Sequence, residues 1–159
     1  MKLIVSKKSD DVTPFSYRTD PAVPAFADHH PIILFDGVCA LCSAWVQFVL
    51  RHDKAEVYRF IPAQTPLGRA LYVHFGLDPE DYQTNILLKD GVAFFKSEGS
   101  IQMAEGLGAP WSFAAIFRLL PLPVRDWLYE RVARNRFRWF GRRATCYMPQ
   151  PRFAARFLA

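Results

Sequence analysis

Four consecutive apolar residues, Ile32-Ile33-Leu34-Phe35, stop at Asp36-Gly37. A strand with one wet face alternates apolar and polar side chains. An unbroken apolar run closed by turn residues suits a strand covered on both faces. Such a strand needs layers above and below it, which points to an α/β fold. The following residues offer those layers. From about Ala40, the residues Leu41, Trp45, Phe48 and Val49 recur at the spacing of one helical face, and the pattern ends near His52. EVYRFIPA then reads as a second strand, with Val57 and Ile61 apolar and Pro62 closing it.

Further along, TPLGRALYVHFG predicts a short helix, with Pro66 in its first turn and Gly76 at its stop. In NILLKDGVAFFKS, two apolar runs flank Lys89-Asp90-Gly91, the sign of a β-hairpin. A helix is expected near Ser100 to Leu107. Another is expected over Trp111 to Leu120, with Phe113, Ile116, Phe117 and Leu120 on one face. Pro123 opens a last long helix in which Val124, Trp127, Leu128 and Val132 line up. The order is β-α-β-α-β-β-α plus extra helices. A βαβ start implies a parallel pair with a right-handed crossover, and the hairpin adds antiparallel strands. The expected fold is α/β and thioredoxin-like: a central four-stranded mixed sheet flanked by helices, with extra C-terminal helices. Residues 1–30, with Pro14, Pro21 and Pro24, read as a partly ordered N-terminal arm, and residues 31–159 as the domain.

The chain has 159 residues, about half of them apolar, enough for one packed domain. Three cysteines are too few, and odd in number, for a secreted disulfide scaffold. That favours a reducing compartment and a cytoplasmic location. The opening MKLIVSKKSDDV lacks the apolar length of a secretory signal. The richest apolar stretch, APWSFAAIFRLLPLPV, is broken by Arg118, Pro121 and Pro123, so no spanning helix is expected, while peripheral membrane contact stays open. Charge is uneven. Residues 1–117 carry ten Lys/Arg against thirteen Asp/Glu, and residues 118–159 carry ten Arg against two acids, for a total of +5. Such a basic end suits a solvated helix face, an anionic lipid or a nucleic acid. No zinc-finger, RRM or KH pattern accompanies it, so no specific nucleic-acid partner is expected.

Two of the three cysteines, Cys39 and Cys42, stand where the first strand gives way to the first helix. Unpaired N–H groups and the positive end of the helix dipole meet there, which stabilises a thiolate. Cys42 lies one turn on, within reach of a disulfide. The outer cysteine of such a pair is expected to be the more exposed and to attack first, and the inner one to resolve the mixed disulfide. Asp36 is a candidate helix cap, or a proton acceptor for Cys42, though a carboxylate near Cys39 opposes thiolate formation.

With these residues in place, ILFDGVCALC resembles the Asp-x-x-Cys-x-x-Cys signature of the DCC family of thiol-disulfide oxidoreductases. The matching residues are Asp36, Cys39 and Cys42, with Gly37 also typical. TNILLKDGVAFFKSEGSI and LPLPVRDWLYERVARNRFRWFGRR followed by Cys146 extend the similarity over about residues 31–158. The resemblance implies a thioredoxin-like enzyme that exchanges a Cys39-Cys42 dithiol/disulfide with protein or small-thiol disulfides. It implies no organic cofactor and no metal, because the sulfurs carry the electrons. Glutathione or a thioredoxin system are the candidate electron donors. Thioredoxins also place a cis-proline before the third strand. Here DYQTNILL has none, and Thr84 is expected near that place. Gly37, Val38 and Thr84 are then the candidate substrate-binding residues, through main-chain pairing.

Other readings of the same residues remain. One cysteine pair is half a structural zinc site, and Cys146, His52 or His29-His30 would have to complete it at no recognised spacing. Cys146 reads either as a small buried residue or as a third redox thiol. Trp45 reads as core or as a docking rim. His52 and His74 suit helix ends rather than catalysis. Arg125, Arg131, Arg134 and Arg138 read as a solvated helix face. A metal-binding domain, or a non-catalytic adaptor working through the basic C-terminal helices, are therefore the alternatives to an oxidoreductase.

Overall fold

A computed structural model of the chain describes residues 14–82 and 85–158, so Thr84 lies outside the described residues. Strand β1 (Ile32–Phe35) leads into helix α1 (Ala40–His52), then β2 (Arg59–Pro62), α2 (Pro66–His74), β3 (Ile86–Lys89), β4 (Val92–Phe95), α3 (Lys96–Glu105) and α4 (Leu122–Phe140). The sheet order is β2-β1-β3-β4. β1 runs parallel to β2 and antiparallel to β3, and β3 runs antiparallel to β4. This open mixed sheet flanked by helices is the thioredoxin-like arrangement that the element order predicts.

β1 is central, and all four of its residues are fully buried. Successive side chains point to opposite faces. Ile32 and Leu34 join Ile61, Ile86, Leu88 and the α2 residues Leu67, Leu71 and Tyr72 on one side. Ile33 and Phe35 join Phe60, Leu87, the α1 residues Val46 and Val49, and Met103 of α3 on the other. Each side chain so buried contributes about 1.5–3 kcal/mol, which makes β1 the strand least tolerant of polar substitution. The hairpin forms where the sequence predicts it. Asp90 and Gly91 both take positive φ, 51° and 77°, as a two-residue turn that matches strand twist requires. Of the predicted arm, residues 14–30 pack on the α2 side, where Tyr17 is buried and donates to Asp28 at 2.9 Å. The rest, residues 1–13, lies outside the described residues.

Three expectations are corrected. The inner stripe of α1 is Cys42, Val46, Val49 and Leu50 rather than Leu41, Trp45 and Phe48. Trp45 and Phe48 are half-buried at the rim, stacked on each other, with Trp111 against Phe48 at 4.7 Å. Helix α3 begins at Lys96, before the expected Ser100. The last correction concerns the C-terminal helices. Residues Trp111–Leu119 form a 3-10 helix with no buried residue, and Phe113, Ile116, Phe117 and Leu120 face outward. So do Val124, Trp127, Leu128 and Val132 of α4. The residues α4 buries are Ala133 and Arg136. It is held by polar links instead: Lys96 to Glu130 at 2.6 Å, Arg125 to Glu98 at 3.2 Å, and the Asn85 N–H to the Tyr129 hydroxyl at 2.9 Å.

Candidate active site

Parallel pairing of β1 and β2 sets Phe35 beside Pro62, so residues 36–39 and 63–64 leave the sheet at one edge. That edge, the carboxyl end of parallel strands, is where α/β folds build sites. Cys39 is the N-cap of α1, with extended backbone (φ −79°, ψ 122°), and its Sγ accepts the Cys42 N–H at 3.3 Å. All three cysteines are free thiols. The Cys39 thiol is lowered to about 7, chiefly because the Cys42 thiol donates a hydrogen bond to its sulfur. The Cys42 N–H adds to this, and burial and the Asp36 carboxylate oppose it. The same hydrogen bond, together with burial, pushes Cys42 far upward. The pair is thus divided into one sulfur disposed to ionise and one disposed to keep its proton.

Asp36 does not cap α1, because the Cys39 sulfur fills that role. Its Oδ1 accepts the Val38 N–H at 3.1 Å and a Gln64 amide N–H at 2.6 Å. Its Oδ2 lies 3.4 Å from Arg136 Nη2. Both side chains are almost wholly buried. Arg136 also reaches Asp81 at 3.2 Å, while its Nε is buried without a hydrogen-bond partner. The guanidinium offsets part of the carboxylate's effect on both cysteines.

Contrary to expectation, Cys39 is the less exposed cysteine, at 0% against 7% for Cys42. The cause is a strap, residues 141–147, folded back over the motif after α4. Gly141, at φ 88°, makes the reversal, and its carbonyl receives the Ala40 N–H at 3.4 Å. Arg142 forms a bridge pair with Cys39. The Arg143 N–H donates to the Val38 carbonyl at 2.7 Å, and the Tyr147 N–H to the Gly37 carbonyl at 2.8 Å. The main-chain acceptors of Gly37 and Val38, expected to pair with substrate, are thus engaged by the chain itself. A β-carbon on Gly37 would lie 2.5 Å from Cys146 Sγ, so glycine is required by this close approach. Cys146 is half-buried against the motif, and burial raises its thiol.

Beside Asp36 opens a groove of about 340 Å³, lined by Glu80 and Asp81 as well as Arg69, Arg136 and Arg142. That volume is within the range of small-ligand sites. Arg142 lies over the Phe137 ring and has no carboxylate within ion-pair distance among the described residues. Also among the described residues, no group of three or more His, Cys, Asp or Glu is placed to hold a metal ion. His52 meets the Phe48 carbonyl at 2.7 Å and His74 meets Asp20 at 2.7 Å, both away from the motif.

Sequence reasoning missed Gln64, Arg136 and the strap. Gln64 was findable, since parallel pairing forces the residues after both strands together. Arg136 was not, being one of ten arginines in the C-terminal stretch.

A cysteine pair whose first sulfur caps a helix at the carboxyl edge of a thioredoxin-like sheet is an arrangement suited to thiol-disulfide redox chemistry. The chain belongs to the DCC1-like thiol-disulfide oxidoreductase family, whose model matches residues 33–142. It is 35% identical over 127 residues to the uncharacterized protein YuxK of Bacillus subtilis, covering 80% of this chain and 93% of that one. It is 39% identical over 120 residues to a chloroplastic DCC family protein of Arabidopsis thaliana, covering 75% and 70% respectively. No solved structure matches the chain.

Proposed function

We propose that the chain is a dithiol-disulfide oxidoreductase in which Cys39 attacks and Cys42 resolves. The observation that carries this reading is the Cys39 sulfur at the helix N-cap, accepting the Cys42 N–H at 3.3 Å, with its thiol lowered to about 7. In the first step the Cys39 thiolate attacks one sulfur of a substrate disulfide. A Cys39–substrate disulfide forms, and the second substrate sulfur leaves as a thiolate that takes up a proton. Cys42 then loses its proton and attacks the Cys39 sulfur. The substrate's remaining sulfur leaves, and the Cys39–Cys42 disulfide is formed. One substrate disulfide is reduced to two thiols, and two protein thiols are oxidised to one disulfide. The reverse sequence oxidises a substrate dithiol.

Asp36 is the acceptor for the Cys42 proton in this reading, held in place by Gln64 and Arg136. The buried setting of Cys39 means that substrate sulfur reaches it only when the strap yields. In this reading a small thiol is the electron donor, and Arg142, with no ion-pair partner among the described residues, would meet its carboxylate. Glutathione has that chemistry, and a thioredoxin system is the alternative donor.

The test is a redox titration across glutathione ratios, with free thiols trapped by a mass-tagging alkylator and counted by mass spectrometry. Cys146→Ser is run alongside. Loss of two tags together, localised to Cys39 and Cys42, is the expected result. If all three thiols stay alkylatable under strongly oxidising ratios, the proposal fails.

A further inference from the structure

The outward face of α4 and of the 3-10 helix before it has the composition of a membrane-surface helix. Phe113 is 74% exposed, Phe117 57%, Leu119 83%, Trp127 59%, Leu128 46% and Trp139 53%. Large apolar side chains exposed in this number on two successive elements call for an interaction that covers them. At 100° per residue, Trp127, Leu128 and Trp139 share one side of α4 with Arg131 and Arg138. Both arginines are exposed and have no ion-pair partner among the described residues. The acids of α4 point elsewhere: Asp126 receives the Ser97 hydroxyl, and Glu130 holds Lys96 of α3. The outward side of α4 is therefore apolar and cationic and carries none of that helix's carboxylates, whereas Arg118 of the 3-10 helix is paired with Glu98 and Glu105.

That charge distribution selects the occupant. A second copy in a two-fold interface would bury these arginines against a face that carries no acid to pair them. An anionic lipid surface fits. Aromatic and leucine side chains enter the headgroup boundary, tryptophans favour that depth, and guanidinium groups meet phosphate. No helix among the described residues is long and apolar enough to cross a membrane, so the contact lies in the plane of the surface. We infer that the exposed face of Trp111–Leu119 and α4 docks the protein on anionic lipid bilayers.

Co-sedimentation with vesicles tests this, using phosphatidylcholine alone and phosphatidylcholine mixed with equal phosphatidylglycerol. Tryptophan emission is read in parallel. Binding and a blue shift are expected with the mixed vesicles only, and added salt weakens both. Arg131→Glu with Arg138→Glu is expected to lower binding at least about tenfold, and Phe113→Glu with Leu119→Glu likewise. These positions are solvent-exposed, so circular dichroism and Cys39 alkylation should stay at wild-type level. Failure of the wild-type protein to bind mixed vesicles overturns the inference, and concentration-dependent dimerisation in light scattering would then assign the face to a second copy. Equal binding to neutral vesicles, or unchanged binding by both double variants, also overturns it.

Discussion

At the scale of single residues, one hydrogen bond separates the two cysteines chemically. The Cys42 thiol donates to the Cys39 sulfur, and this lowers one thiol and raises the other. The depressed value belongs to the folded protein, so Cys39 reactivity falls as pH drops through about 7. Below that point the alkylation rate should fall about tenfold per pH unit, following the thiolate fraction. Stopped-flow alkylation of the reduced Cys146→Ser protein would measure it. Removing the donor with Cys42→Ala should move the midpoint up. Asp36→Asn should move it down, because the carboxylate raises Cys39. Asp36→Asn should also slow resolution of a Cys39 mixed disulfide more than its formation. Equal slowing of both steps in single-turnover kinetics would count against Asp36 as the proton acceptor.

At the scale of elements, the strap and the motif are fitted at Gly37. A side chain there meets the Cys146 sulfur and the Gln64 amide. Gly37→Ala should therefore cost roughly 1–3 kcal/mol and speed alkylation of Cys39 as the strap is displaced. Adding Cys146→Ala removes the opposing atom and should restore part of the loss. A double-mutant cycle in urea would show that coupling as a non-additive free energy. The same element shows where the sequence is legible. The apolar run of β1 and the Asp90-Gly91 turn specify the sheet, because each is a local pattern with one cheap solution, whereas the spacing after Cys39 places helix α1 without giving its inner stripe. That Cys39, Cys42 and Asp36 stand together is legible for the same reason, since they are close in sequence. The strap is not, since its link to Gly37 and Val38 runs through backbone groups that any residue carries. The outward faces of α4 and its neighbour are not legible, because periodicity finds an apolar stripe and does not say what covers it.

At the scale of the whole molecule, two buried ion pairs fasten the C-terminal third to the rest of the domain. Arg136 joins Asp36 just after β1, and Arg156 joins Asp53 at the C-terminal end of α1. Removing one member leaves a buried charge without its partner, which costs about 3–5 kcal/mol. Arg136→Met should therefore lower Tm by roughly 10 °C in a chain of this size. The paired change Asp36→Asn with Arg136→Met should lose less than the two single losses together, as a thermal scan of all three proteins would show. The pair also has a consequence for biosynthesis. Asp36 and Arg136 are 100 positions apart, and the strap follows later still. At about 5–20 residues per second, roughly 5–20 s pass between synthesis of the cysteines and of the arginine that completes their surroundings. During that interval the dithiol is in existence and uncovered, open to any disulfide near the ribosome. The strap, made only after α4, is its seal, and a chain cut short after α4 would carry the reactive pair without one.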